Sequence, residues 1–242
     1  MAHCDLWQIE GDEACLTSAR LSAHIALSHP EQGLRAIRYR GQAINQGPIL
    51  QMSAVPPTAN GETILEAYVR GHDVIVTYDQ IPPRTARPQL YYRYVECPDE
   101  AAGCEILISV QTSLLASEPT VQATTTWDAP ETEILIGNAD VLTPADTAGQ
   151  RISASTPLIL FRPPRVDWSY CEMVFPADFI GGDVINSEQE WCLKYAFFLQ
   201  GLEKGVIRRG RVRGLFLPRV GDERLARHQF DAFAQSDLPL TT

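Results

Sequence analysis

The sequence contains no hydrophobic run long enough to cross a membrane. A spanning helix needs about 20 mostly apolar residues, and polar or charged residues interrupt every apolar stretch well before that length. The opening residues, MAHCDLWQIEGDE, also lack the basic segment and the apolar segment of a secretory leader. We therefore expect no membrane association and a cytoplasmic location.

Basic residues are scarce relative to acidic ones. The chain has 20 Lys and Arg against 30 Asp and Glu, for a formal net charge of −10. The acidic excess lies upstream, because residues 201–242 hold eight basic and five acidic side chains. An acidic surface repels nucleic-acid phosphates and anionic lipid headgroups. Nucleic acids and membrane surfaces are therefore not expected partners.

Motifs for cofactors and metals are also missing. The sequence has no GxGxxG or GxxxxGK[ST] loop and no HExxH. Its six cysteines form no CxxC pair and no His/Cys cluster at zinc spacing, so we predict no cofactor and no metal site. Cys97 and Cys104 flank a PDEAAG loop and are candidates for a disulfide, although reduced thiols are favoured in a cytoplasmic protein.

What the sequence does contain is apolar and polar alternation at period two, which predicts β-strands. Residues 63–112 hold four strands rich in β-branched and aromatic residues, which indicates an antiparallel meander. The other predicted strands are 7–9, 14–16, 21–27, 34–39, 121–127, 134–136, 156–161 and 168–175. Residues 138–156 and 181–190 are predicted loops because of their glycine and polar content.

Only the C-terminal tail has helical spacing. Its apolar face is formed by Leu225, Ala226, Gln229, Phe230 and Phe233. Asp222 is a suitable N-cap. We predict a single mainly β domain over residues 1–242, a large antiparallel β-sandwich with one C-terminal α-helix at about 222–236.

Residues 191–218 carry the largest apolar content at period two. Residues 191–199 place Trp191, Leu193, Tyr195 and Phe197 on one face. A glycine-bounded turn and a second alternating run follow, so we interpret the stretch as a central hairpin.

The second run of this stretch places Arg209, Arg211 and Arg213 on one face, about 6–7 Å apart along the strand. Guanidinium groups bind carboxylates, sulfates and phosphates in a fork geometry, so the row is a candidate site for an acidic ligand. The alternative, favoured by the acidic upstream sequence, is ion pairing with carboxylates on neighbouring strands.

The segment RPPRVDWSY is a second candidate ligand site. It combines Arg162, Arg165, Asp167 and Trp168 around a proline-stiffened turn. Carbohydrate sites commonly join a flat aromatic platform to charged hydrogen-bonding groups. The alternative for Trp168 is a place at the edge of the core.

His72, Asp73 and Glu203 are the candidate catalytic residues. A histidine beside a carboxylate can act as an oriented acid/base pair, and Glu203 lies in the turn after the aromatic strand. Consecutive residues on a hairpin turn usually point apart, and a lone turn carboxylate is usually solvated. A noncatalytic interpretation of all three is therefore favoured.

The layout resembles the galactose mutarotase-like supersandwich group, which includes aldose epimerases and sugar-binding domains. The resemblance lies in the opening WQIEGDEACLTSARLSAHIAL, the long succession of antiparallel strands and a late aromatic strand running into LEKGVIRRGRVRGLF. It implies a carbohydrate-related protein. Epimerases of the group resemble one another in a pair of histidines and a late glutamate acting as acid and base. These do not map residue by residue here, and only Glu203 lies in a loosely late position.

Three functions follow as hypotheses. The first is a noncatalytic protein that binds a saccharide or an anionic small molecule. The second is an aldose-1-epimerase-like enzyme using general acid–base catalysis, which requires a histidine in the main concavity. The third is a noncatalytic protein-interaction module.

Overall fold

The structure is a computed structural model that describes residues 6–53, 63–82, 84–129, 131–146, 149–187, 189–198 and 201–237. Its elements in chain order are β1 (Trp7–Glu10), β2 (Glu13–Thr17), β3 (Leu21–Ala26), a 3-10 turn (Pro30–Gln32), β4 (Leu34–Tyr39), β5 (Gln42–Ala43), β6 (Gln51–Ser53), β7 (Ile64–Arg70), β8 (Asp73–Tyr78), β9 (Arg87–Glu96), β10 (Ala102–Gln111), β11 (Ala116–Ser117), β12 (Val121–Trp127), β13 (Glu133–Gly137), β14 (Leu142–Pro144), β15 (Gln150–Ile152), β16 (Leu158–Arg162), β17 (Trp168–Val174), β18 (Phe179–Asn186), β19 (Trp191–Phe197), β20 (Leu202–Glu203), β21 (Ile207–Pro218) and α1 (Asp222–Ala234).

The largest sheet has nine strands in the order β14-β13-β16-β17-β21-β10-β9-β8-β7. A second sheet runs β15-β18-β19-β12-β6, and an N-terminal sheet runs β1 to β5 in chain order. The pairings within these sheets are antiparallel. The predicted fold class, a large antiparallel β-sandwich with one C-terminal helix, is confirmed for the described residues.

Aromatic residues join the sheets across one shared core. Trp127 of the five-stranded sheet β15-β18-β19-β12-β6 stacks on Phe161 and Tyr170 of the nine-stranded sheet, with ring centroids 4.9 and 5.5 Å apart. Tyr39 of the N-terminal sheet stacks on Phe216 at 5.5 Å. Offset stacking adds to the burial of these large rings, so the inner face of the nine-stranded sheet lies at the centre of the apolar core.

The predicted hairpin of residues 191–218 is wrong, although both of its strands exist. β19 pairs with β12 and β18, whereas β21 pairs with β10 and β17 in the nine-stranded sheet. The two strands instead face each other across the core. A Cβ at Gly210 of β21 would lie 2.7 Å from the Phe197 ring of β19. The two strands are therefore in contact through the packing of two sheets and not through backbone pairing.

Both predicted loops contain strands. Residues 138–156 carry β14 and β15, and residues 181–190 contain most of β18. Gly182 in β18 accounts for the wrong loop prediction at residues 181–190. A Cβ at this position would lie 2.0 Å from the backbone oxygen of Lys194. The glycine permits close strand packing instead of ending the strand.

Helix α1 buries the predicted residues Leu225, Ala226, Gln229, Phe230 and Phe233. It packs on the outer face of the nine-stranded sheet, beside β16, β17 and β21. The N-cap is Gly221, at φ 75°, and Asp222 is the first helical residue. In the part of the chain that the structure describes, no helix has the length and apolarity needed to cross a membrane.

Cys97 and Cys104 are free thiols, as favoured from the sequence. Cys97 lies in the helix-side cluster and donates to Gln229 Oε1 at 3.0 Å. Cys104 lies in the inter-sheet core. The two side chains thus belong to opposite faces of the sheet, which excludes the alternative disulfide in this fold.

Candidate ligand groove

Four residues of alternating charge cross the outer face of the nine-stranded sheet in register. Asp73 lies opposite Arg93, Arg93 opposite Glu105, and Glu105 opposite Arg213 on strands β8, β9, β10 and β21. Arg93 donates to both oxygens of Asp73 at 2.7 and 2.8 Å. Arg213 Nε donates to Glu105 Oε2 at 2.9 Å. Directly opposed residues lie close enough for charged pairs to interact, and we call this row the charge ladder.

The charge ladder forms part of the floor of a groove of about 540 Å³. The C-terminal end of α1 and the hairpin turn before β8 contribute to its walls. The described lining residues are Leu6, His72, Arg93, Tyr94, Val95, Glu96, Glu105, Arg211, Arg213, Ser236 and Asp237. A groove of this size suits a small organic ligand, whose pockets span roughly 300–1,000 Å³.

Arg211 is held at the groove without an ion pair among the described residues. Its guanidinium lies 3.8 Å from the Phe175 ring centroid and 5.3 Å from that of Phe233. Nη1 donates to Ser236 Oγ at 3.0 Å and Nη2 to the Ser236 backbone oxygen at 3.2 Å. Burial lowers the pKa of Arg211. This arginine ties the end of α1 to the sheet.

The predicted arginine row therefore divides into three environments. Arg213 is ion-paired with Glu105, as the alternative interpretation held. Arg211 is buried, with 1% exposure, against aromatic rings. Arg209 lies opposite Ser109, half-buried, and does not line the groove.

His72 lines the groove, whereas Asp73 is not among the described lining residues, and the two form no acid/base pair in the described hydrogen bonds. Asp73 is buried and is held by Arg93. His72 is exposed, and its backbone oxygen accepts hydrogen bonds from Trp7 Nε1 and the Tyr94 backbone, both at 3.0 Å. His72 is the only histidine among the described lining residues.

The RPPRVDWSY segment does not line the groove. Arg162 instead secures α1, with Nε and Nη2 donating to Asp222 at 3.0 and 3.1 Å. Asp167 and Arg165 are exposed, and Asp167 accepts from Gln42 at 3.3 Å.

Trp168 is only 3% exposed and packs edge-on against Trp127 and Phe216. The predicted aromatic platform is therefore wrong, because both neighbouring rings and the burial leave no ring face for a ligand. The alternative place in the core is the one observed.

Glu203 is exposed on β20, which pairs with β11. It is not among the groove residues. The structure therefore brings His72, Arg211 and Arg213 together in the groove and places Asp73 beside it, paired with Arg93. The other predicted site residues lie apart.

Sequence reasoning missed Arg93, Tyr94, Glu96 and Glu105 as groove residues. Their strands were predicted, and alternation alone would have placed Arg93 and Glu105 each on a polar position of its strand. The register between strands, which alternation does not specify, is what brings the two charges together.

Glu172 is a buried carboxyl outside the groove, on the inner face of the sheet. Its Oε2 accepts hydrogen bonds from Thr125 Oγ1 at 2.6 Å and from Tyr170 Oη at 2.7 Å, and its Oε1 has no described partner. Burial raises the pKa of Glu172 to about 7. No groove chemistry involves this group, because it faces the inter-sheet core.

Comparisons with known proteins agree on the fold. No family model and no curated protein matches the chain. Similar solved structures include a galactose mutarotase-like protein from Lactobacillus casei ATCC 334 (TM-score 0.57, 9% identity, 84% of this chain and 99% of that one), a candidate mutarotase from Salmonella typhimurium (0.57, 8%, 88% and 93%) and the GalM/aldose epimerase homologue from C. elegans (0.56, 8%, 83% and 97%). The chain has the galactose mutarotase-like fold, which confirms the resemblance noted in the sequence.

Proposed function

We propose that the groove binds a saccharide without transforming it. The fold is shared with mutarotase-like proteins, which makes a sugar the first ligand class to consider. The single observation that carries the proposal is the charge ladder, whose Arg93, Glu105 and Arg213 line a groove of small-molecule size. Asp73 holds Arg93 from outside the described lining.

The ladder suits a polyhydroxylated ligand because it alternates acceptors with donors. Each sugar hydroxyl donates one hydrogen bond and accepts others, while a carboxylate only accepts and a guanidinium only donates. A guanidinium has five N–H donors and a carboxylate about four acceptor positions. Arg93 uses two donors on Asp73, and Arg213 two on Glu105. The ladder therefore keeps hydrogen-bonding capacity for a ligand while holding its own geometry.

The ladder also favours a neutral sugar over an anionic one. Its two arginines are balanced by two carboxylates in register. Arg211 adds a third cation at the lining, and Glu96 and Asp237 add two further acidic groups. A uronic acid or a sulfated sugar would bring a negative charge, and the arginines of the ladder are already neutralised by carboxylates.

A titration of the full chain with an aldohexose, a disaccharide and a uronic acid, followed by calorimetry and tryptophan fluorescence, tests the proposal. We expect millimolar or tighter binding, with the neutral sugars ahead of the uronic acid. Glu96→Gln should weaken binding about tenfold, since hydrogen bonds to charged groups contribute about 1.5–3 kcal/mol.

Glu203→Gln is the matched control, because Glu203 is also an exposed glutamate but lies outside the groove. It should leave binding unchanged. The proposal is refuted if none of the three sugars binds at millimolar concentration. It is also refuted if Glu96→Gln and Glu203→Gln lose the same amount of sugar affinity. Tighter binding of the uronic acid would redirect it to an anionic ligand.

Aldose-1-epimerase activity is the second candidate, favoured by one observation. His72 lines the groove that also contains Glu96 and Glu105, so the histidine required for this chemistry is present. Polarimetry of a freshly dissolved aldose measures the activity directly. If the enzyme hypothesis holds, the chain accelerates the approach to anomeric equilibrium and His72→Ala abolishes the acceleration, whereas the exposed His228→Ala does not.

A further inference from the structure

Three potential metal ligands meet on the exposed face of the N-terminal sheet. Cys15 on β2 lies directly opposite His24 on β3. Glu13 is two positions before Cys15, so strand alternation places it on the same face. The opposite face of β2 is buried through Ala14 and Leu16. Pairing of two neighbouring strands thus produces a Glu/Cys/His set that no linear motif reveals.

The donor atoms have the spacing of a shared ion. Cys15 Sγ lies 3.8 Å from His24 Nδ1, and Glu13 Oε2 lies 3.4 Å from the same nitrogen. All three donor atoms lie within 4.8 Å of one another. Around a tetrahedral Zn²⁺, with bonds of about 2.3 Å to sulfur and 2.0–2.1 Å to nitrogen or oxygen, such atoms are separated by roughly 3.3–3.6 Å. Small side-chain rotations reach that geometry without backbone movement.

Arg35 orients the carboxylate of this set. It lies opposite His24 on β4, and its Nη2 donates to Glu13 Oε1 at 2.6 Å. The other carboxylate oxygen, Oε2, is the one directed toward His24. Hydrogen-bond partners of this kind hold metal ligands in place and contribute to affinity.

We propose that Glu13, Cys15 and His24 form a binding site for Zn²⁺ or a similar divalent transition metal. Thiolate, imidazole and carboxylate together are a zinc ligand set. The side chains of Glu13 and His24 are 44% and 43% exposed, so water completes the coordination. Glu10, directly opposite Glu13 on β1, is an exposed carboxylate on the same face of the sheet.

Cobalt provides the test because a thiolate ligand gives Co²⁺ a near-ultraviolet charge-transfer band. The chelator-treated full chain is titrated with Co²⁺ and then with Zn²⁺. We expect one equivalent of Co²⁺ to produce the thiolate band with tetrahedral visible bands, and Zn²⁺ to displace it. Cys15→Ser should abolish the charge-transfer band, and His24→Gln should weaken binding at least about tenfold. Arg35→Gln should weaken it by about tenfold, as expected for a residue that positions a ligand.

Cys192→Ser is the matched control, since Cys192 is a second partly buried thiol on a different sheet. It should leave the cobalt spectrum unchanged. Near-ultraviolet circular dichroism verifies that each variant is folded, and His24→Gln tests the site independently if Cys15→Ser fails that check. The proposal is overturned by absence of the thiolate band at micromolar metal, or by a band that survives Cys15→Ser.

Discussion

Glu105 and Glu172 are the two buried glutamates among the described residues, and they lie on opposite faces of the same nine-stranded sheet. Glu105 on the outer face lies between Arg93 and Arg213 on the flanking strands. Among the described residues, the partners of Glu172 on the inner face are two hydroxyls, from Thr125 and Tyr170. One sheet therefore buries one carboxylate by matching its charge and another by favouring its neutral form.

The contrast between the two faces indicates where this fold can accommodate a polar ligand. The inner face is filled by stacked aromatic rings, and a buried charge there is disfavoured because it lacks a cation. The outer face keeps its charges in a register-matched row. Binding chemistry is therefore expected on the outer face, and the inner carboxyl is expected to influence stability.

The largest expected effect comes from breaking the charge ladder at Arg213. Arg213→Met leaves the buried Glu105 without its closest cation and removes the guanidinium from the Phe233 ring, 4.4 Å away. Breaking a buried ion pair from one side typically costs about 3–5 kcal/mol. Unfolding in guanidinium chloride should show a decrease of that size in the free energy of unfolding. The slope of that free energy against denaturant concentration should not change.

Two further variants sharpen this result. Arg209→Met, on the same face outside the groove, should cost less than about 1 kcal/mol. The double variant with Glu105→Leu and Arg213→Met should recover much of the loss, because an apolar pair replaces a buried ion pair at little cost. A double variant as unstable as Arg213→Met alone would contradict the role of charge matching.

On the inner face, Glu172 makes stability depend on pH. Its pKa is raised from 4.5 to about 7 by burial, so between these values the folded state holds a proton that the unfolded state has lost. The free energy of unfolding therefore decreases as pH rises from about 4.5 to 7, by roughly 3 kcal/mol for this group. Denaturation at pH 5 and pH 8 measures the change.

Glu172→Gln removes this titration, so its stability should change less between the two pH values than that of the unaltered chain. Asp178, whose pKa is raised to about 6 by burial, acts in the same direction in both proteins and cancels in the difference. Equal changes in both proteins would show that Glu172 is ionised in the folded state.

A smaller effect is expected where the outer face holds α1. Asp222→Asn removes the charge that Arg162 contacts at 3.0 and 3.1 Å, while Arg162 keeps Glu133 and Glu223 at 3.2 Å. We expect a loss of about 1–2 kcal/mol, as for a hydrogen bond to a charged group. Hydrogen exchange should also become faster in α1. Asp231→Asn, on the exposed side of the helix, is the control and should change stability by less than about 0.5 kcal/mol.

The sequence predicted which residues form strands better than it predicted their partners. Alternation assigned Trp191, Leu193, Tyr195 and Phe197 to a buried face, and that assignment is confirmed. Period two says which face a residue occupies but carries no information on which strand lies alongside. The hairpin error followed, because proximity in sequence was the only available guide to pairing.

The same limit applies to the groove. An acidic partner for the arginine row was predicted, but Glu105 is 108 positions from Arg213 and only the β10–β21 register identifies it. Trp168 was misassigned because an aromatic residue beside charges has the same local sequence pattern in a core and in a sugar site. Its neighbouring rings are Trp127 of another sheet and Phe216 of the adjacent strand β21, both distant from it in sequence.

The position of β21 also has a consequence for how the chain acquires its structure. This strand lies between β17 and β10 at the middle of the nine-stranded sheet, yet it is the last strand that the structure describes along the chain. Until it has left the ribosome, β10 and β17 each expose an unpaired edge, and such edges favour aggregation. Pairing over about a hundred residues also makes closure slow. We therefore expect the nascent chain to remain prone to aggregation until β21 pairs with both edges.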